Sequence, residues 1–475
     1  MSIKLHNTLT GTIDELKPHS DGTVKLYTCG LTVYSQPHVG NWLGYIYWDV
    51  LVRLLESYEY SVERTQNITD VGHLTDDADA GEDKMLKAAL KEGKTAWEVA
   101  EFYSQVADKE AYELLGLRRP THLVRATDFV PQQIEFAKVL EQKGYTYVIS
   151  DGLYFDTSKL ADYGKLARLD IQGLRFGARV ADTGKKNPTD FAIWKFSNPD
   201  EKRDMEWDSP WGKGFPGWHL ECSVIARETL GDQIDIHTGG IDHIPVHHTN
   251  EIAQTEAVTG KQFSAMWLHN NHIKIDGTKI AKSIGNTITL QDVIDRGFSV
   301  TAFKLLALSK HYRTEGNFSW AILESAANRL RNWRDVAALR HQTHDTLDDD
   351  DAKDENGVSL LATPQAVSEA LANDLDTPGA LAIIDEAFSR LESVSLHKIH
   401  RHSLVQLLET IRDLLGIDLL TDTPDISDEI KQRIIERQRA RDEKNWQRSD
   451  ELRDELRKSG IDVRDTASGT VWSYA

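Results

Sequence analysis

The amino-acid sequence predicts an α/β chain, with a parallel sheet in its N-terminal part and an all-helical region from about Thr301. Three observations predict it. "GTVKLYTC", "NWLGYIYWDVLVRLLESYEY" and "SVERTQNITDV" read as strand, helix and strand, the order of a parallel unit. The same alternation returns at "GWHLECSVIARETLG", "QIDIHTGG" and "HHTNEIAQTEAVTG", a helix, a strand running into a glycine turn, and a helix closed by Gly260. From Thr301 onward the composition is helical throughout.

Between the two alternating blocks lies helical sequence, "DKMLKAALKEGKTAWEVAEFYSQVADKEAYELLG" and then "VPQQIEFAKVLEQKGYTYVI". The piece from about Asp151 to Phe215 is rich in Gly, Asp, Trp and Lys and carries short strand signals, so it reads as an insertion into the sheet region. Further on, "HDTLDDDDAKDENG" reads as a solvated loop or linker. "PQAVSEALANDLDTPGALAIIDEAFSRL" reads as a helical pair, and "KQRIIERQRARDEKNWQRSDELRDELRKSG" is dense in Arg and Lys. "IDVRDTASGTVWS" reads as a closing hairpin, and no internal repeat is present.

At 475 residues the chain calls for about two to four domains. With 40% hydrophobic and 27% charged residues it has the composition of an ordinary globular protein. "MSIKLHNTLTGTIDELK" holds no apolar signal-peptide core and no apolar run reaches a membrane span, so the expected location is the cytoplasm. The net charge of −20 argues against a DNA-coating protein, although local basic patches still decide contact with nucleic acid. A lone disulfide between the two cysteines, Cys29 and Cys222, is not expected in a cytosolic chain.

Three sets of residues carry chemistry. His247 and Glu251 stand four apart on a helix and leave the same face. With Cys29 and Cys222 they offer two thiolates, an imidazole and a carboxylate, all zinc-binding groups. His248 competes for the imidazole role, and the alternative is a packed thiol with a hydrogen-bonded histidine. "PHVGN" sits between a strand and a helix. There Gly40 permits close backbone approach, the helix start favours anions, and His38 and Asn41 offer donors to a phosphate chain. Its alternative is a plain strand-to-helix turn. "KIAKSIGN" places Lys279 and Lys282 with Ser283 and Gly285, a loop suited to polyphosphate or simply to solvent.

Together these pieces identify a resemblance. A His-x-Gly-His-like turn after the first strand and a Lys-x-x-Lys-Ser loop after the last are the paired signatures of class I aminoacyl-tRNA synthetases. The chain closely resembles their cysteinyl-tRNA synthetase family through "YTCGLTVY", "PHVGN", "NITDVGHLTDDADAGEDKM", "PTDFAIWK", "GWHLECSVIA", "DIHTGGIDHIPVHHTNEIAQ", "KIAKSIGN" and "HYR". "ALANDLDTPGAL" and "RSDELRDELRKSGIDVRDTASGTVW" extend it over nearly the whole length. Asn41 replaces the usual last histidine of the turn and cannot ionise, Thr238 replaces the first glycine of a Gly-Gly-Gly turn, and Leu31 stands where proline is common. In the lysine loop, Ile280 and Ala281 stand where Met and Ser are usual.

The resemblance implies a Rossmann-like catalytic domain in two halves, 1–135 and 217–270, around a connective insertion, 136–216. It further implies a lysine-loop and stem-contact region at 271–320, a helical anticodon-binding domain at 321–422 and a small C-terminal domain at 423–475. The implied activity is a cysteine–tRNA ligase. Cysteine and ATP would give cysteinyl-adenylate, and the cysteinyl group would pass to the terminal ribose of tRNA(Cys). By the same resemblance Cys29, Cys222, His247 and Glu251 hold one Zn2+ that selects cysteine by its thiolate, and Mg2+ accompanies ATP. His38, Asn41, Lys279 and Lys282 act on the phosphates, and Gly40, Gly239, Gly240 and Asp242 join them in binding ATP. Thr69, Trp218 and His237 bind cysteine. The Arg-rich end from Lys431 to Lys458 is either a tRNA-backbone contact or simply the charged face of an amphipathic helix pair, and the expected state is a monomer. The rival readings are a cysteine ligase with an amino-sugar acceptor, a zinc hydrolase, and an idle RNA-binding protein.

Overall fold

The computed structural model describes residues 2–72, 83–168, 184–198, 200, 203–280, 285–343, 359–392, 394–466 and 469–474. The acidic run at 344–357 lies outside the described residues, and so does Lys282. No described helix is long and apolar enough to cross a membrane. The chain divides into two compact units, one formed by Met1–Asp292 with Tyr312–Asn317 and the other by Val293–His311 with Phe318–Ala475.

The first unit opens with a hairpin, β1 (Lys4–Asn7) and β2 (Thr12–Glu15), which the sequence pattern did not suggest. The sheet follows: β3 (Thr23–Thr28), α1 (Val39–Ser57) and β4 (Ser61–Ile68). Helices α2 (Lys84–Glu92) and α3 (Ala96–Asp108) come next, then β5 (His122–Arg125) and α4 (Val130–Gln142). Four short strands make a separate antiparallel sheet: β6 (Thr146–Ile149), β7 (Gly152–Phe155), β8 (Phe191–Phe196) and β9 (Gly214–Pro216). The main sheet resumes with α5 (Trp218–Leu230), β10 (Ile234–Gly240), α6 (His247–Thr259) and β11 (Ser264–Asn270). The strands β12 (Ile273–Ile275) and β13 (Thr278–Lys279) pair antiparallel.

One expected helix is corrected. "VPQQIEFAKVLEQKGYTYVI" is helical only to Gln142. Gly144 takes a left-handed φ of 76°, which ends the helix, and the β-branched Thr146, Val148 and Ile149 continue as β6.

The main sheet has the order β11-β10-β3-β4-β5 and every pair is parallel. Its central strands are buried on both faces, which is why "QIDIHTGG" reads as a continuous rather than an alternating pattern. The chain winds outward from β3 on one side and returns through β10 on the other. The crevice between these two strands at their carboxyl ends is therefore the switch point where open α/β sheets bind ligands. Cys29 follows β3 at that point, and its N–H donates to the Thr238 carbonyl on β10 at 3.2 Å.

The chain continues with α7 (Leu290–Asp295), α8 (Val300–Leu308) and β14 (Gly316–Phe318). The second unit is then helical: α9 (Trp320–Ala338), α10 (Thr363–Ala372), α11 (Thr377–Glu392), α12 (Arg401–Leu415), α13 (Leu419–Asp422), α14 (Asp428–Asp442) and α15 (Trp446–Lys458). It closes on the expected hairpin, β15 (Ile461–Thr466) and β16 (Gly469–Tyr474). Arg437, fully buried on α14, ties that hairpin down by two bonds to Asp465 at 2.7 and 2.8 Å.

Candidate active site

A cavity of about 430 Å³ opens at the switch point. Cys29, Cys222, His38, Gly40, Asn41, Thr69, Trp218, Gly239, Gly240, Asp242 and His247 all line it. The structure thus gathers eleven of the expected residues, from the ends of β3 and β4 and from α1, α5, β10 and α6 with their adjoining turns, around one space.

At its floor Cys29, Cys222 and His247 join Glu251, which lies just behind them, in a cluster of four buried groups with donor atoms within 4.8 Å of one another. A second quartet, Cys29, His237, His248 and Glu251, meets the same distance. Access separates them: Cys29, Cys222 and His247 reach the cavity, whereas His237 and His248 lie behind it. His248 Nε2 lies 3.3 Å from Cys29 Sγ, and its Nδ1 lies 2.7 Å from His269 Nε2. His219 Nδ1 sits 3.0 Å from His247 Nδ1 and so turns the His247 Nε2 toward Glu251.

The cluster fits a metal ion. Glu251 Oε1 is buried and lies 3.0 Å from His247 Nε2, yet without the alignment a hydrogen bond needs. That arrangement suits two ligands of one ion better than a donor and its acceptor. Burial alone would raise the Glu251 carboxyl, but His237 and His247 beside it hold it at about 2. Burial likewise opposes ionisation of Cys29, yet the hydrogen bond from Cys222 and the nearby His248 draw its thiol well below the usual range. Buried anionic oxygen and sulfur with borderline-soft imidazole match the donor set of Zn2+.

His237, expected to touch cysteine, does not line the cavity. It is fully buried, stacks on Trp267 with ring centroids 4.4 Å apart, and its Nε2 lies 2.9 Å from Glu251 Oε2. From there it fixes the orientation of the Glu251 carboxylate. Thr69 does line the cavity, but its hydroxyl is engaged: it donates to Glu221 Oε1 and accepts from Asn67 Nδ2 at 3.0 Å. Trp218 packs tilted against His247, ring centroids 4.4 Å apart, and forms an aromatic wall. Thr238, in place of glycine, is satisfied by the Tyr27 carbonyl at 3.3 Å and the Thr28 hydroxyl at 3.2 Å. Gly239 remains obligatory, because a Cβ there would lie 2.6 Å from the His248 ring and 2.8 Å from the His243 ring.

The opposite wall is the start of α1, where His38 is the N-cap. Asn41 Oδ1 accepts from the His38 N–H at 3.0 Å, so the amide NH2 is the part left to face the cavity. Gly40 packs closely on the lysine-loop flank: a Cβ there would lie 2.8 Å from Ile280 Cδ1 and would push it aside. The Val39 N–H donates to the Ile288 carbonyl at 2.8 Å. Both flanks of the lysine loop therefore rest on the first turn of α1. Lys279 ends β13, paired with Lys274, and its side chain lies outside the description, as does the whole of Lys282. Tyr45 on α1 donates to the Cys29 carbonyl at 2.9 Å and joins the two walls.

Sequence reasoning missed Tyr45, Asn67, Lys84, His243, Asn270 and His272, which also line the cavity. Only His243 carried a signal, the histidine-rich run "HTGGIDHIPVHH".

Comparison with known proteins shows the family of the chain. The family described as tRNA synthetases class I (C) catalytic domain matches residues 15–328, and the cysteinyl-tRNA ligase anticodon binding domain matches residues 423–472. A cysteine–tRNA ligase of Treponema denticola is 40% identical over 500 aligned residues, covering 99% of each chain. The chain belongs to the cysteine–tRNA ligase family of class I tRNA synthetases. Cysteine–tRNA ligase 1 of Burkholderia lata is 42% identical over 99% of this chain and 96% of its own. In fold the chain is similar to a Mycobacterium tuberculosis methionyl-tRNA synthetase in complex with methionyl-adenylate. That likeness has a TM-score of 0.59 at 15% identity and covers 84% of this chain and 92% of the other. It is also similar to the LeuRS of an Agrobacterium radiobacter K84 LeuRS–tRNA–LeuAMS ternary complex. There the TM-score is 0.63 at 12% identity, over 87% of both chains. The family's Rossmann-like α/β architecture is thus the fold of this chain.

Proposed function

We propose that the chain activates L-cysteine with ATP and transfers the cysteinyl group to the 3′ end of tRNA(Cys). The observation that carries this reading is the Cys29–Cys222–His247–Glu251 cluster at the floor of the same cavity that the "PHVGN" turn walls.

In the first step a carboxylate oxygen of cysteine attacks the α-phosphorus of ATP. The bond from that phosphorus to its bridging oxygen breaks, and pyrophosphate departs. The His38 ring and the Asn41 amide NH2, at the positive end of the α1 dipole, receive the negative charge. Lys279 and Lys282 neutralise the leaving pyrophosphate, with which Mg2+ travels. Gly239, Gly240 and Asp242 form the nucleoside side of the pocket. In the second step a terminal ribose hydroxyl attacks the cysteinyl carbonyl and AMP leaves. No side chain acts as nucleophile, so catalysis rests on positioning and electrostatics.

Zinc held by Cys29, Cys222, His247 and Glu251 would offer a thiolate a favourable bond that a serine hydroxyl would not match. Trp218 and Thr69 close the pocket around the short side chain, and His237 and His219 hold Glu251 and His247 in orientation. A hydrophobic pocket alone separates isosteres by only about a hundredfold.

Pyrophosphate exchange into ATP in the presence of cysteine or serine, run beside charging of a tRNA(Cys) transcript and bound-metal analysis, tests the proposal. The expected result is exchange with cysteine alone, charging of the transcript and about one zinc per chain. Absence of cysteine-dependent exchange, or charging of an amino sugar alone, overturns it.

A further inference from the structure

Helix α3 does not stop at Asp108. It runs on through a single π-turn, Lys109–Leu114, closed by the Leu115 N–H on the Glu110 carbonyl at 3.0 Å. Such turns are rare and concentrate at functional sites. Inside this one sits Glu110, only 5% exposed. Its two carboxylate oxygens diverge. Oε2 accepts from Trp42 Nε1 at 2.7 Å, and Oε1 accepts from Gln36 Nε2 at 3.3 Å.

These two donors bracket the phosphate turn. Gln36 stands two residues before the N-cap His38, and Trp42 follows Asn41 directly. One buried group thus holds both ends of the segment Pro37–Asn41. Among the described residues no cation pairs with it; its partners are two neutral N–H groups. A buried carboxylate on neutral donors is costly compared with an amide of the same shape. A need for two acceptors at a fixed separation accounts for the carboxylate. An amide in its place would turn an NH2 against one of the two donors.

We propose that Glu110 is a positioning residue for ATP activation: the π-turn presents its carboxylate so that Gln36 and Trp42 are held together and the His38–Asn41 turn keeps one geometry toward the triphosphate. The inference rests on reading that turn as the phosphate site.

The test uses the full-length chain with Glu110→Gln, Trp42→Phe, their double variant and Gln36→Leu. The last removes one donor at an exposed position and keeps the fold out of question. Cysteine-dependent pyrophosphate exchange is measured with ATP and cysteine varied in turn, and bound zinc is measured alongside. Glu110→Gln and Trp42→Phe are each expected to lower kcat/KM for ATP by about ten- to hundredfold, the cost of a displaced reacting geometry. Gln36→Leu changes it in the same direction by less. The KM for cysteine and the zinc content stay at parental values. The double variant is no worse than the worse single, because both cut one link. Parental ATP kinetics in the single variants, equal losses toward ATP and cysteine, or multiplying effects in the double variant overturn the clamp while the exchange activity of the parent stands. A parent without exchange overturns the reading of the turn, and the clamp with it.

Discussion

At the scale of single residues, the cluster depends on which way each histidine faces. Four groups of metal-binding type were legible in the sequence because thiols, imidazoles and carboxylates announce their chemistry. The i,i+4 spacing to Glu251 favoured His247 over His248 only moderately, since both belong to one helix turn; of the two, His247 lines the cavity. The misplacement of His237 has the same origin. A histidine at the end of a strand next to a glycine turn reads as substrate-facing, but here Trp267 and Glu251 claim both its ring face and its Nε2. Two predictions belong at this scale. Cys222→Ser replaces a soft ligand by a hard hydroxyl, so bound zinc should fall to near background in metal analysis. Discrimination between cysteine and serine in exchange should collapse toward the roughly hundredfold limit of an apolar pocket or below. His237→Ala leaves all four ligands but frees Glu251 Oε2, and zinc affinity by competitive chelation should weaken by about ten- to hundredfold. Unchanged zinc retention in both variants would remove the cluster from the account.

At the scale of elements, the alternating blocks were legible because parallel strands carry continuous apolar runs and their helices a clear period. The hairpin β1–β2 and strand β6 escaped that reading. The first is short and half exposed, and the second follows a strong helix with only Gly144 as punctuation. The glycine of "PHVGN" was read for ligand approach, and its packing partner was invisible, because Ile280 comes from 240 positions away. Gly40→Ala should therefore act on the lysine loop. A Cβ 2.8 Å from Ile280 Cδ1 and 3.1 Å from the His38 ring must push one of them aside. The expected outcome is a several-fold rise in the KM for ATP in exchange with the melting temperature nearly unchanged, since alanine also favours the helix by about 1 kcal/mol. The C-terminal hairpin gives a second element-scale test. The hydrogen bonds from Arg437 hold Asp465 down at about 2. A depressed carboxyl contributes stability above its unfolded value of about 4 and loses it as pH falls toward 2. Asp465→Asn removes that acid step and leaves the fully buried Arg437 without its charge partner, a loss of about 3 kcal/mol. Urea titrations of parent and variant at pH 7 and pH 3 measure both effects, and the gap between them should narrow at pH 3.

At the scale of the whole molecule, a net charge of −20 must be reconciled with a polyanionic partner. The Arg-rich end from Lys431 to Lys458 was legible as a basic segment, yet the sequence could not show how much of that charge is already matched. Arg437, Arg441 and Arg453 converge on Asp465, Arg448 lies among Glu436, Glu451 and Glu455, and Arg457 pairs with Asp462. Lys431 and Arg433 pair with Asp425 and Glu429. Among the described residues, Arg439, Lys444 and Lys458 make no ion pair and are exposed, and Trp446 beside them is 56% exposed. A cation already paired to a carboxylate gains little from a phosphate, because the contact must first break the pair. The unpaired ones release counterions outright. Replacing Arg439 and Lys444 together by Ala should therefore weaken tRNA(Cys) binding and flatten its dependence on log salt by about 2. Trp446→Ala should instead remove a stacking surface, with a loss of about 1–3 kcal/mol and an unchanged salt slope. Neither change should alter cysteine-dependent pyrophosphate exchange, which needs no tRNA. Filter binding from 50 to 300 mM salt, beside the exchange assay, distinguishes the two. An unchanged slope in the Arg439/Lys444 variant would mean that tRNA draws on the paired arginines after all.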